Sequence, residues 1–167
     1  MKTVLLSLAV LVTAPVFAQE NPLVAKLATH WATSKTFTLA VADQMPAADY
    51  SFKPNPEQMS FGEQMAHIAT SNGYFFSMLT GEKSPIAKPA DYQKATVEKL
   101  LGDSFDYCAG ILPKLTAEQL HKTYDTPDGK MTGFEIILFA MDHTAHHRGQ
   151  TEVYLRVKGI KPTDYQF

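Results

Sequence analysis

The chain has 167 residues, of which 45% are hydrophobic and 19% are charged, and its formal net charge at pH 7 is −2. This length and composition suit a single globular domain with a core of its own. A charge so close to zero offers no basic face for a phosphate backbone, so we expect no nucleic-acid partner. The single cysteine, Cys108, cannot form a disulfide within the chain.

Residues 1–18 have the pattern of a cleaved export signal. Lys2 supplies a positive start, an apolar run covers residues 3–15, and residues typical of a cleavage site end at Ala18. The run is too short to cross a bilayer and no second one follows, so we expect no membrane span. A buried N-terminal helix is the alternative, which the order of these three regions disfavours. We therefore predict a periplasmic or secreted protein in which residues 19–167 form the domain.

Two helices are predicted in the first half of that domain. The first runs from about Pro22 to Gln44, where apolar residues recur at steps of three and four, and Pro46 prevents its continuation. The second begins at Ser60, because Ser60 and Glu63 have the spacing of a capping box, and Gly81 ends it. The apolar stripes contain Leu23, Leu27, Trp31, Val41 and Met45 in the first helix, and Phe61, Met65, Ile68, Phe75 and Leu79 in the second.

The second half contains two further long helical patterns. The third helix covers about Asp91 to Leu115, and a short helical turn with capping-box spacing follows at residues 116–119. Asp125 to Lys130 is a turn-rich loop, and no convincing run has the period of a strand. The last helix begins at a third capping box, formed by Thr132 and Glu135, and runs to Gly159. Four long helices in roughly 150 residues predict an all-α four-helix bundle.

Three of the six histidines lie together in the last helix. His143 and His147 are four residues apart and share a helix face, an arrangement that binds zinc in known helices. With heptad spacing, one stripe toward the neighbouring helices contains Ile136, Ala140, His143, His147, Gln150 and Tyr154. Polar groups on such a stripe are costly unless they are paired or bind a ligand. The residues leave two interpretations: a metal site, or histidines at the core edge or in solvent that are satisfied by hydrogen bonds. His146 lies about 100° from His147 around the helix, so we expect it to face water or another helix.

A zinc-type site usually needs a third protein ligand. His67 is a candidate, because it flanks the apolar stripe of the second helix on a face shared with Gln64. His30 and His121 have weaker claims. Cys108 lies in an apolar stretch, which favours a buried inert thiol over a reactive one.

Two segments resemble motifs of the DinB/YfiT-like family. Asp142–Gln150 and the chain after it resemble the closing helix of that family, and Ser60–Ile68 resembles its first histidine motif. The resemblance extends over nearly all of the predicted domain. It implies a bundle of up-down-down-up order with a metal site formed by His67, His143 and His147. The metal in such proteins is typically zinc, nickel, iron or manganese, and dimers are common among them.

The resemblance also suggests a class of function, since some relatives transfer or isomerise low-molecular-weight thiols. Three neutral imidazoles would leave coordination positions open for water or substrate. We therefore expect an exported metal-dependent enzyme of the hydrolase or thiol-transferase type that acts on a small molecule. The alternatives are a non-catalytic bundle that binds metal or a small ligand, and a structural bundle without metal. Polar residues near the histidines, none assigned a catalytic role, are Glu63, Gln64, Tyr74, Asp142, Gln150 and Tyr154. Arg148 falls on another face of the helix, and we expect it to pair with a carboxylate from a neighbouring helix rather than to bind substrate.

Overall fold

The computed structural model describes residues 22–166 and is mainly helical. Within this range the α-helices are α1 (Pro22–Gln44), α2 (Phe61–Thr80), α3 (Lys94–Ile111), α4 (Ala117–His121) and α5 (Gly133–Val157). A two-stranded sheet, β1 (Thr123–Thr126) and β2 (Gly129–Thr132), lies between α4 and α5 in the chain. The proposed signal peptide falls outside the described residues.

The three predicted capping boxes are present and set the starts of α2, α4 and α5. At α2, the Glu63 N–H donates to the Ser60 hydroxyl at 3.2 Å, and the Ser60 N–H donates to the Glu63 carboxylate at 2.7 Å. The same reciprocal pair begins α4 at Thr116 and α5 at Thr132. Each box satisfies N–H groups that have no partner within the first helical turn. Local sequence therefore fixes where these helices begin.

The four long helices share one apolar core. α2 packs against α3 and α5, and α1 packs against the same two helices. The Trp31 ring lies 4.9 Å from that of Phe76 and 5.1 Å from that of Phe105, and its indole N–H donates to the Phe105 carbonyl oxygen. This aromatic cluster joins α1, α2 and α3 with its polar group satisfied. The predicted apolar stripes are buried, except that Leu23, in the first turn of α1, is 45% exposed.

The prediction that no strands are present was wrong. Thr126 pairs with Gly129 in an antiparallel hairpin, and the strands between residues 123 and 132 include part of the predicted loop. Each strand has four residues, too few for a period of two to stand out in the sequence. A cross-strand ion pair of 2.8 Å between Lys130 and Asp125 supports the hairpin. The mostly helical prediction is confirmed, while the all-α class is corrected to a helical fold with a small sheet.

Two helix boundaries also differ from those predicted. α3 is shorter than expected, because the chain tightens at Pro113 into a 3-10 turn over Leu112–Lys114. α5 ends at Val157, two residues before Gly159, which has a φ of 76°. None of the helices between residues 22 and 166 combines the length and the hydropathy of a membrane-spanning segment.

Gly133→Ala is expected to destabilise the fold, because a Cβ at this first residue of α5 would overlap the carbonyl oxygen of Gln119. The α4 backbone would have to move, and overpacking of this kind typically costs about 1–3 kcal/mol. The matched control is Gly102→Ala in α3, where no atom lies within 4 Å of the new Cβ. Because Ala favours a helix more than Gly does, Gly102→Ala should raise the free energy of unfolding by about 0.5–1 kcal/mol. Urea unfolding measures both; unchanged stability for Gly133→Ala would contradict the close contact between α4 and α5.

Candidate metal centre

The packing of α2 against α5 brings three histidines together. His67 lies on α2, and His143 and His147 lie one turn apart on α5. Their possible ligand atoms all lie within 4.8 Å of one another. The Nε2 atoms of His67 and His143 are 3.1 Å apart, and the rings of His67 and His147 have centroids 4.6 Å apart. The three residues predicted as ligands are thus positioned to bind one metal ion.

The distance between His67 and His143 fits a shared ion. Two imidazole nitrogens that each lie about 2.0–2.1 Å from one zinc ion are roughly 3.0–3.4 Å apart, depending on the angle at the metal. The 3.1 Å between the two Nε2 atoms falls within that range. The same distance also suits an N–H···N hydrogen bond between the rings in the absence of an ion. The rings are therefore close enough to coordinate together without a rearrangement of the helices.

Burial keeps these imidazoles neutral. Desolvation, together with the nearby histidines, lowers the pKa of His143 to about 4 and that of His147 to about 3. Burial also lowers the pKa of His67. A neutral imidazole is the form that binds a metal ion. At neutral pH each of the three rings therefore has one nitrogen lone pair to offer.

Gln64 determines which nitrogen of His147 carries the proton. Its side chain is 3% exposed, and its Oε1 lies 2.6 Å from Nδ1 of His147. A carbonyl oxygen only accepts hydrogen bonds, so Nδ1 of His147 is the protonated nitrogen in this arrangement. The lone pair of His147 is then on Nε2. An outer hydrogen bond of this kind is what usually orients a histidine that binds metal.

The His143 ring is held by packing rather than by such a hydrogen bond. The ring centroids of Phe75 and Phe139 lie 5.8 Å and 6.3 Å from that of His143. Its Nδ1 is buried and has no hydrogen-bond partner among the described residues. These two aromatic contacts restrict the ring, whose Nε2 faces His67.

A cleft of about 310 Å³ borders the cluster through His67. It lies between α2 and the connection from α2 to α3. Five of the lining side chains are apolar or aromatic: Met59, Ala66, Ile86, Pro89 and Tyr92. Besides His67, the polar ones are Glu63, Thr70 and Lys88. His143 and His147 do not line this cleft, so His67 alone connects it to the cluster. A small molecule could therefore reach the cluster from the α2 side.

Comparison with known proteins places the chain in a family. The model of the DinB superfamily matches residues 30–151, a range that includes the three clustered histidines. The chain belongs to this superfamily. The resemblance inferred from the two histidine motifs is thereby confirmed.

Several relatives of this DinB-superfamily chain are known. The Bacillus subtilis (strain 168) protein named "Uncharacterized protein YjoA" is 29% identical over 138 residues, which cover 80% of this chain and 90% of that protein. A crystal structure of this DinB-like B. subtilis protein matches with a TM-score of 0.71 at 28% identity, covering 84% of this chain and 96% of that one. A DinB-like protein from Bacillus cereus ATCC 10987 matches with a TM-score of 0.73 at 18% identity, covering 85% and 97% of the two chains. At that identity the second structure supports the fold alone.

Other sequence candidates of this DinB chain lie outside the cluster. Tyr74 is 45% exposed. Asp142 lines a separate groove between α1 and α5 together with His30. His121 lies on the short helix α4. Cys108 is fully buried, and burial raises the pKa of its thiol, which agrees with the inert interpretation.

Arg148 pairs differently from the prediction. Its guanidinium donates to the hydroxyls of Ser34 and Thr38 on α1, at 3.4 Å and 3.3 Å, and lies 4.1 Å from the centre of the Phe37 ring. The nearest carboxylate is that of Glu152 on its own helix, at 3.9 Å. The neighbouring helix therefore contributes hydroxyls and an aromatic face instead of a carboxylate. Arg148 joins α1 to α5 and takes no part in the histidine cluster.

Gln64 is the functional residue whose role the sequence did not show. The sequence places it near His67 on the same face of α2, but periodicity gives no reason to connect it with His147. That connection spans 83 residues and depends on how α2 and α5 pack. The signal that the sequence offers is a polar residue three positions before a candidate ligand, on the same face of the helix.

Proposed function

We propose that this chain binds one divalent transition metal through His67, His143 and His147 and uses it to act on a small molecule. The observation that carries this proposal is the convergence of three neutral imidazoles from two helices. Among the described residues, no fourth histidine, cysteine or acidic side chain belongs to that group. Three protein ligands are typical of catalytic metal sites, whereas structural sites are usually closed by four. Zinc, nickel, iron and manganese are the candidate metals.

The reaction is of the hydrolase or thiol-transferase type. A divalent ion held by the three histidines would supply a Lewis acid. The cleft at His67 provides a mostly apolar wall, with Thr70 and Lys88 as groups that can orient a polar substrate. Since Cys108 is buried, a reacting thiol would have to come from a small molecule rather than from this side chain.

A non-catalytic metal- or ligand-binding role is the second candidate. Glu63 is the acidic side chain that lines the cleft, and its carboxylate already accepts a hydrogen bond from the Ser60 N–H. It also lies 3.5 Å from the Lys53 ammonium. The Ser60 N–H is the main cause of the lowered pKa of Glu63, so this carboxylate is ionised and engaged in the helix cap. The carboxylate that lines this cleft is therefore already engaged and is not free to act as a general base, which favours the non-catalytic role.

We infer an up-down-down-up bundle of α1, α2, α3 and α5, supported by the packing of α1 and of α2 against the same two helices. We infer export from the charged start, the apolar run and the cleavage pattern within residues 1–18.

Replacing His143 and His147 together with Ala is expected to abolish metal binding, because one imidazole is too few to hold a divalent ion tightly. The wild-type protein, purified without a chelating tag, should contain close to one metal ion per chain by elemental analysis. The matched control is His121→Ala, which removes an exposed histidine of α4 and should leave the metal content unchanged. Circular dichroism confirms that each variant is folded. Full metal content in the double variant would exclude this site.

Catalysis and simple binding are distinguished by a substrate panel of esters, amides and thiol-reactive electrophiles. We expect turnover with metal-loaded protein, loss of turnover after chelation, and recovery when metal is restored. The His143→Ala, His147→Ala double variant provides the background rate. Ligand-induced thermal shifts without turnover by the loaded protein would instead support the non-catalytic role.

Export is tested by the mass of the mature chain. When the full-length sequence is expressed in a bacterium with an intact secretion pathway, the protein should be found outside the cytoplasm and begin at Gln19. Cleavage should fail when Ala18 is replaced with a bulky charged residue, since small residues are required at that position. An uncleaved wild-type chain that remains in the cytoplasm would contradict the proposal.

A further inference from the structure

A chain of hydrogen bonds connects His147 to the protein surface. It begins at Nδ1 of His147, which lies 2.6 Å from Oε1 of Gln64. Nε2 of Gln64 donates to Oε1 of Gln150 at 2.8 Å. Nε2 of Gln150 then lies 2.6 Å from Nε2 of the exposed His146. The chain passes from α5 to α2 and back to α5.

The hydrogen bonds in this row all run in one direction from donor to acceptor. An amide oxygen only accepts and an amide nitrogen only donates, so each glutamine passes the orientation of one hydrogen bond on to the next. With the amides as they stand, His147 donates from Nδ1 and His146 accepts at Nε2. If Gln150 turned over, it would present N–H groups to the N–H groups of Gln64. Gln64 would then have to turn as well and would donate to Nδ1 of His147.

Reversal would move the proton of His147 to the wrong nitrogen for coordination. If Nδ1 accepted a hydrogen bond from Gln64, the neutral ring would carry its proton on Nε2, and that atom would have no lone pair for a metal ion. The side chain of Tyr154 supports the observed direction. Its hydroxyl donates to the Met59 carbonyl oxygen at 2.9 Å, which leaves its oxygen to accept from Nε2 of Gln64 at 3.4 Å.

We propose that Gln150 is a positioning residue that, through Gln64, keeps the proton of His147 on Nδ1 and its Nε2 free for a metal ion. The metal part of this inference rests on the proposed function. The hydrogen bonds of Gln150 go to Gln64 and His146, and none of them reaches His67 or His143. His146 completes the chain as the acceptor for the Gln150 amide, and its exposure allows water to take over that part.

Two substitutions at position 150 separate this role from ordinary packing. Gln150→Met keeps the length of the side chain and removes both hydrogen bonds. Gln150→Glu keeps an acceptor for Nε2 of Gln64 and so preserves the orientation of Gln64. Nitrogen-15 NMR of the histidine rings in the metal-free protein reports which nitrogen of His147 is protonated. Titration with Co²⁺, followed by its visible absorption, reports affinity for the metal.

We expect wild-type protein and Gln150→Glu to hold the His147 proton on Nδ1 and to bind Co²⁺ alike. Gln150→Met should populate the form protonated on Nε2 and should weaken Co²⁺ binding about 10-fold, as is typical when an outer hydrogen bond to a metal ligand is lost. An unchanged His147 tautomer in Gln150→Met overturns the inference, even if that variant melts at a lower temperature. If wild-type protein binds no Co²⁺ while Gln150→Met shifts the tautomer, the positioning role stands and the metal proposal fails.

Discussion

The contact between α2 and α5 is the interaction on which the site depends. Along this contact, the ring centroids of Phe75 of α2 and Phe139 of α5 lie 5.0 Å apart, and the Thr144 hydroxyl donates to the side-chain oxygen of Asn72 at 3.1 Å. Apolar burial at about 25 cal/mol per Å² holds the two helices at a fixed distance. The imidazoles one turn further along α5 then have little freedom to separate from His67. The apolar part of the interface thus stabilises the geometry of its polar part.

In the polar part of the interface some side chains have all their hydrogen-bond partners and others do not. This pattern fits a site that binds a ligand better than a contact that serves stability alone. Gln64, buried among the helices, uses both ends of its amide. The His67 and His143 rings instead direct Nε2 toward each other, and Nδ1 of His143 has no partner among the described residues. An unpaired polar atom in the interior costs about 1–3 kcal/mol. A cluster built only for stability would gain from apolar side chains at these positions, whereas a metal ion makes direct use of the converging lone pairs.

How much of the fold could be predicted from the sequence depends on how far apart along the chain the interacting residues lie. The starts of α2, α4 and α5 were predictable because the capping residues lie three positions apart and act locally. The hairpin before α5 was missed because its strands are short and are stabilised by pairing with each other. The pairing of Arg148 with Ser34 was missed for a different reason. Periodicity shows which face a side chain occupies, but the group that it meets depends on the neighbouring helix.

The same distinction applies to the site. The spacing of His143 and His147 placed both on one face of α5, and the resemblance to a family implied His67 as the third residue of the site. Neither could show that Gln64 would meet His147, because that contact exists only once α2 and α5 have packed. The mostly helical fold and the three histidines that come together were thus predictable from local pattern and resemblance, whereas the hydrogen bonds that orient these histidines required the tertiary structure.

The position of the cleft explains why membership of the DinB superfamily does not by itself determine a reaction. The cleft meets the cluster at His67, and its outer wall includes Ile86, Lys88 and Pro89, which belong to the connection between α2 and α3. Loop residues can change without disturbing the helices that hold the histidines. The same three-histidine cluster can therefore be combined with different walls, so that the helices fix the positions of the histidines while the connection shapes the cleft beside them. In this chain the wall combines apolar Ile86 and Pro89 with the Lys88 cation, and the Glu63 carboxylate of α2 lines the same cleft, so a small molecule that entered it would meet apolar surface and charges of both signs.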